Sequence, residues 1–173
     1  MKILLIQPSV GKEARFIEES HSHLQPLTPA VLAAITPSSH SIDFIDDRVE
    51  PVPYESSPDL VAVTSTSLTA KRAYDIADNF RGKGSTVVLG GHHATLRQEE
   101  AKQHADTVVV GEAETVWEKV LDDCSRGNLE PFYKGDKPET DQLPSPDRSI
   151  YRGKNYLPVE MVETTRGCPH RCT

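Results

Sequence analysis

The chain has 173 residues, 36% of them hydrophobic and 26% charged, with a net charge of −7. That length suits one domain able to bury a core without disulfides or metal, and no apolar run reaches membrane-spanning length. The acidic balance excludes a general nucleic-acid binder, which meets phosphates with a basic stripe, and three cysteines make no even disulfide framework, which predicts a reduced, cytoplasmic setting.

Lys2 to Gln7 is a continuous apolar run closed by Pro8, as expected of a strand covered on both faces. Residues 9–26 are polar and read as a surface loop, in which His21 and His23 are expected to be solvated. Thr28 and Pro29 then open a helix, with Thr28 as cap and Pro29 at the first helical position, and Val31, Leu32 and Ile35 carry it to Pro37. Ser41 to Asp46 is the second strand, and three prolines in residues 47–58 mark a loop. Leu60 to Thr64 is the third strand. Thr69 is the expected cap of a helix whose Ala70, Ala73, Tyr74, Ala77 and Phe80 keep helical spacing, with Gly82 and Gly84 at its end.

Thr86 to Leu89 and Thr107 to Val110 are the fourth and fifth strands. Each precedes an apparent capping box, Thr95 with Gln98 and Thr115 with Glu118. Trp117, Val120, Leu121 and Cys124 form the inner stripe of the last helix, which makes Trp117 core and Cys124 a packed thiol, and Gly127 closes it. Residues 128–158, rich in proline and charge, are expected to be a linker, and Val159 to Thr164 alternates weakly, as the first strand of a following module would. The sequence therefore predicts an α/β domain over 1–127, a doubly wound, five-stranded parallel sheet with helices on both faces.

In such sheets the ligand sits beyond the carboxyl ends of the strands. The residues there are Pro8 and Ser9, then Ser65, Thr66 and Ser67, then Gly90, Gly91, His92 and His93, then Gly111 and Glu112. Glycines let a large ligand approach the backbone, while hydroxyls and helix N-termini offer donors. The usual occupants of this fold leave no mark. There is no G-x-G-x-x-G after the first strand, no Walker loop, no acidic pair of a phosphoacceptor domain and no flavin phosphate loop.

Val87 to Thr95 reads Val-Val-Leu-Gly-Gly-His-His-Ala-Thr, and Ala105 to Glu114 contains Val110-Gly111-Glu112-Ala113-Glu114. Leu143-Pro144-Ser145-Pro146-Asp147-Arg148 and Thr165-Arg166-Gly167-Cys168-Pro169-His170-Arg171-Cys172-Thr173 follow in that order. This set resembles the cobalamin-binding region of the B12-dependent radical SAM proteins, which include methyltransferases and the anaerobic magnesium-protoporphyrin monomethyl ester cyclase. The resemblance implies a Rossmann-like fold with cobalamin on the carboxyl edge of the sheet. The corrin would meet the loops after the third and fourth strands, and the nucleotide tail would lie beside the sheet. Pro8, Ser9, Ser65, Thr66, Ser67, Gly90, Gly91, His92, His93, Gly111 and Glu112 are the cofactor-binding candidates.

The family's C-x3-C-x2-C motif holds a 4Fe–4S cluster whose open iron binds S-adenosylmethionine. Cys168 and Cys172 match its first two members, an incomplete ligand set, so residues 159–173 are expected to begin a radical SAM module, and this chain alone is expected to be inactive. A zinc site at Cys168, His170 and Cys172 is disfavoured, since a structural zinc wants four ligands. The chain departs from cobalamin proteins that ligate cobalt through a D-x-H-x-x-G histidine, because that loop is absent. Glu112 and Glu114 are expected to take a backbone-anchoring or rim role in preference to general acid–base work. The expected partners are cobalamin and a radical SAM module, without nucleic acid or membrane. The alternative is a cofactor-free docking module for the radical domain.

Overall fold

A computed structural model describes residues 1–10, 23–139, 141 and 143–165 of the chain. Six strands form one parallel sheet: β1 (Lys2–Gln7), β2 (Ser41–Asp46), β3 (Leu60–Thr64), β4 (Thr86–Gly90), β5 (Thr107–Gly111) and β6 (Phe132–Gly135), in the order β2-β1-β3-β4-β5-β6. The five-stranded expectation is thus one strand short. β6 falls inside residues 128–158, the stretch expected to be a linker, and adds to the edge next to β5. Residues 159–164, where a further strand was expected, carry no regular structure.

The continuous apolar runs of β1, β3, β4 and β5 exist because both faces of the sheet are covered. Leu4, Ile6, Val61, Val63, Val87, Leu89 and Val108 point to one side, under α2 (Ala70–Gly82), α3 (His92–Leu96) and α4 (Gln98–His104). Ile3, Leu5, Leu60, Ala62, Val88 and Val109 point to the other, under α1 (Leu27–Ile35) and α5 (Trp117–Arg126). The helices present stripes at helical spacing, Ala70, Ala73, Tyr74, Ala77 and Phe80 on α2 and Trp117, Val120 and Leu121 on α5. Cys124 packs beside the α5 stripe, and burial pushes its thiol pKa up.

The predicted caps form differently. α1 begins two residues earlier than expected, after Pro26, and Thr28 lies inside it. Thr69 occupies the N-cap position of α2 as expected, but its hydroxyl oxygen accepts from Thr66 N–H at 3.0 Å and makes no bond to a helix N–H. Thr95 sits within α3, and a break at Arg97 separates α3 from α4. Its hydroxyl oxygen accepts from Gly111 N–H at 3.0 Å. Thr115 ends a 3-10 turn, Ala113–Thr115, and its hydroxyl oxygen accepts from Asp136 N–H at 3.0 Å. Both threonines therefore stitch the ends of β5 and β6 to the neighbouring connections, a tertiary use of groups that a local pattern assigns to capping.

Residues after β6 return across the molecule. A 3-10 turn, Arg148–Tyr151, packs Tyr151 on Phe44 of β2, and Tyr156 packs on Tyr151, with ring centroids 5.4 Å and 5.5 Å apart. Among the described residues no helix is long and apolar enough to cross a membrane.

Candidate functional site

The strand order reverses between β1 and β3, so the connections leaving these two strands run to opposite faces and open a crevice at their carboxyl ends. Two connected cavities occupy that crevice. The outer one is a polar mouth lined by Gln7, Thr28, Thr64, Ser65, Thr66, Gly91, His92, Thr95, Leu96 and Gly111 to Glu114. The inner one is an apolar slot between the sheet and the pair α1 and α5. Leu5, Ala62, Val88, Gly90 and Val109 floor it, and Thr28, Pro29, Leu32, Ala113 and Trp117 wall it. Thr28, Thr64, Gly91 and Ala113 border both, so the slot opens into the mouth.

The slot has a cause in the sequence. Strand side chains alternate between faces, so Ala62 and Thr64 of β3 and Gly90 of β4 share the α1–α5 face, with Thr64 paired to Gly90. Small residues there leave space that larger β-branched residues would fill. The slot is thin: water-sized molecules have about 50 Å³ in which to centre themselves, against about 490 Å³ in the mouth.

The two adjacent glycines do different things. A Cβ on Gly90 would meet nothing closer than Val109, at 3.8 Å, and would point into the slot. Gly91 has φ +90°, and a Cβ there would lie 2.7 Å from the Thr64 hydroxyl and 2.8 Å from the Ser65 carbonyl oxygen. Gly91 is therefore required by the fold, and Gly90 by the slot. Gly111 is structural in a similar way: its φ is +85° and a Cβ would come 2.4 Å from the Gly135 carbonyl oxygen, where β5 and β6 cross closely.

The candidates from sequence separate into three groups. Thr66, His92, Gly111 and Glu112 border the mouth, as does Ser65, while Gly90 and Gly91 floor the slot. Ser65 is only 1% exposed, and its hydroxyl and its N–H both donate to the Gly90 carbonyl, at 3.1 and 2.9 Å, so its polar groups hold β3 to β4. Pro8, Ser9, Ser67 and His93 lie off both cavities. Ser9 is buried, and its N–H and hydroxyl donate to the Asp47 carboxylate at 3.0 and 2.6 Å. Arg72 of α2 makes a two-pronged bond to the same carboxylate, at 2.7 and 2.8 Å. Burial works to raise the Asp47 pKa, but the bonds from Arg72 and Ser9 outweigh it and hold it below the ordinary value. His93 turns to the α2–α4 side, its Nε2 3.5 Å from Glu100. Tyr74 donates to that same carboxylate at 3.2 Å, and burial together with Glu100 pushes the Tyr74 pKa up to about 12. Cys168 and Cys172 lie outside the described residues, and among those described no group of His, Cys, Asp or Glu is placed to hold a metal ion.

Sequence reasoning missed the slot walls. Trp117 reads as core and is 1% exposed, yet it also lines the slot while its Nε1 donates to Thr36 at 2.8 Å. Thr28, Pro29 and Leu32 read as a helix start and stripe. The available signal was the drop in side-chain size at Ala62, Thr64 and Gly90, at the ends of strands otherwise built from large residues.

Comparison with known proteins gives this arrangement a place. The family model described as B12 binding domain matches residues 19–121. The chain is 38% identical over 154 residues to the bacteriochlorophyllide d C-8(2)-methyltransferase of Chlorobaculum tepidum, covering 83% of this chain and 34% of that protein. It is 34% identical over 180 residues to the bacteriochlorophyllide d C-12(1)-methyltransferase of the same organism, covering 99% of this chain and 39% of that protein. It thus spans well under half the length of these curated relatives. The N-terminal domain of a hypothetical protein of Thermotoga maritima shares 22% identity at a TM-score of 0.43, over 69% of this chain and 97% of that one. By the family match over most of the sheet, the chain belongs to the B12-binding domain family.

Proposed function

We infer that this chain binds cobalamin at its carboxyl edge, with the aromatic base of the nucleotide tail in the slot and the corrin over the mouth. The observation that carries this reading is the junction of a thin apolar slot with a wide polar mouth. A flat aromatic base matches the slot, whose floor is Ala62, Val88, Gly90 and Val109 and whose wall includes Trp117. The amide-fringed corrin matches the mouth, where Gln7, Thr66, His92 and Glu112 supply polar groups and the 70%-exposed Leu96 supplies an apolar contact. The residues present therefore fit the group.

A base held by the slot residues would be drawn away from the cobalt, so a base-off spectrum is the expected signature of binding. Bound cobalamin supplies a methyl-carrying metal centre. The chain's part is to bind it, orient it through the mouth and shield the tail from water. For the longer proteins of this kind, we read residues 159–173 as the entry to a radical SAM module. Cys168 and Cys172 would give two of three thiolates to a 4Fe–4S cluster that binds S-adenosylmethionine. The names of the two relatives favour methyl transfer to a tetrapyrrole over oxidative ring closure.

Titration of the 173-residue chain with hydroxocobalamin, followed in the visible spectrum, tests the reading. Saturable binding with a base-off spectrum is expected. A chain that is folded yet shows no spectral change would instead fit a docking module without cofactor.

A further inference from the structure

α1 is a weak helix that walls the slot. It has nine residues, Pro26 precedes it without a side-chain cap, and no charge complements its dipole at either end. A segment that short does not stay helical in water unaided, so its position depends on what grips it. Trp117 holds the C-terminal end through Thr36. The N-terminal end, which carries Thr28 and Pro29, is gripped by residues 147–157. The Tyr151 hydroxyl donates to the Pro26 carbonyl, Asp147 N–H donates to the Ala30 carbonyl at 2.9 Å, and Leu157 N–H donates to the His23 carbonyl at 3.0 Å.

The gripping segment is itself fastened to the β2 edge. Tyr151 and Tyr156 are only 4% and 7% exposed. The Tyr156 hydroxyl donates at 2.8 Å to Asp46, a fully buried carboxylate that also takes the Arg48 guanidinium, and Lys154 pairs with Glu50.

We propose that residues 147–157 are a strap that sets the width of the slot, and that Tyr151 is its positioning residue for the tail of the cofactor. The strap holds the first turn of α1 at the distance from Ala62 and Gly90 that admits a flat base. In a slot this thin, an ångström of drift in that turn changes whether a ring fits. The proposal rests on the reading of the slot as the tail site.

The test compares hydroxocobalamin with cobinamide, the corrinoid without a nucleotide tail, on the 173-residue chain, on Tyr151→Phe and on Tyr133→Phe. Tyr151→Phe keeps the ring and removes the bond to Pro26. Tyr133→Phe is the control, since it loses hydroxyl bonds to Asp123 and Glu130 N–H away from the slot. Expected is a preference of the unaltered chain for cobalamin that falls about tenfold in Tyr151→Phe, with cobinamide affinity unchanged and the preference intact in Tyr133→Phe. A Tyr151→Phe chain that melts earlier but keeps the full preference overturns the strap and leaves the slot reading standing. Equal loss for both ligands also overturns it. An unaltered chain that binds the two ligands equally, or neither, overturns the slot reading and the strap with it. If Tyr151→Phe does not fold, Tyr156→Phe, which unfastens the strap from Asp46, is read in the same way.

Discussion

Gly90 and Gly91 are neighbours with opposite sensitivities. A leucine at position 90 meets no backbone strain and points into the slot, so Gly90→Leu is expected to fold normally and to weaken hydroxocobalamin binding by tenfold or more, about 1.4 kcal/mol. Circular dichroism and the visible titration check the two halves. Gly91→Ala combines a left-handed φ with three contacts under 3.0 Å, and is expected to cost about 2–3 kcal/mol of stability, read in a denaturant melt. Asp47 carries a third expectation. Its side chain is 1% exposed and paired with an Arg72 that is 13% exposed, so Asp47→Asn leaves a partly buried cation and is expected to cost about 3 kcal/mol. The folded-state pKa of Asp47 lies below its ordinary 3.8, so the stability it contributes is complete above that value and is lost as pH falls below it. Melts from pH 5 down to pH 2 should fall less steeply in Asp47→Asn than in the unaltered chain.

β6 is the element on which the rim of the mouth depends. It is a four-residue edge strand, and its Gly135 passes so close to the β5 end that a Cβ there would sit 1.8 Å from the Glu112 carbonyl oxygen. Gly135→Ala must therefore push β6 away from Gly111 and Glu112, which border the mouth. Faster amide exchange at Val108 and Val110, whose N–H groups face β6, with β1 to β3 still protected, is the expected result. Exchange unchanged at β5 would mean that the crossing relaxes without parting the strands. The same stitching explains why Thr95 and Thr115 serve as acceptors for Gly111 N–H and Asp136 N–H instead of capping helices. Both hydroxyls sit where an otherwise unpaired N–H of a strand end or turn needs a partner.

At the scale of the whole molecule, slot and mouth join loops from β1, β3, β4 and β5 with both α1 and α5, so a ligand seated there braces most of the fold. A ligand that binds only the native state, at a hundred times its Kd, adds about 2.7 kcal/mol. For a chain of this size that corresponds to a rise in Tm of about 5–10 °C. A thermal melt at that hydroxocobalamin concentration should show it, and a tenfold loss of affinity in Gly90→Leu should cut it to roughly half. A rise of similar size with Gly90→Leu would place the cofactor somewhere other than the slot.

The fold class was legible in the sequence because burial has a local signature. Uninterrupted runs such as Leu60 to Val63 and Val87 to Leu89 mark strands covered on both faces, and the stripes of α2 and α5 mark helices packed on them. The residues at strand ends followed from topology, since a parallel sheet brings all its carboxyl ends to one edge. β6 was illegible because Phe132 to Gly135 is short, lies on an edge and is half polar, and so has too few buried positions to show a period. What each strand-end residue does depends on partners distant in the chain. Ser9 spends its donors on Asp47, His93 turns to Glu100, Gly111 serves Gly135, and Tyr151 reaches back to Pro26. Local pattern encodes which side chains leave water. Which of them meet, and where a gap is left between them, is decided only when helices and sheet are packed together.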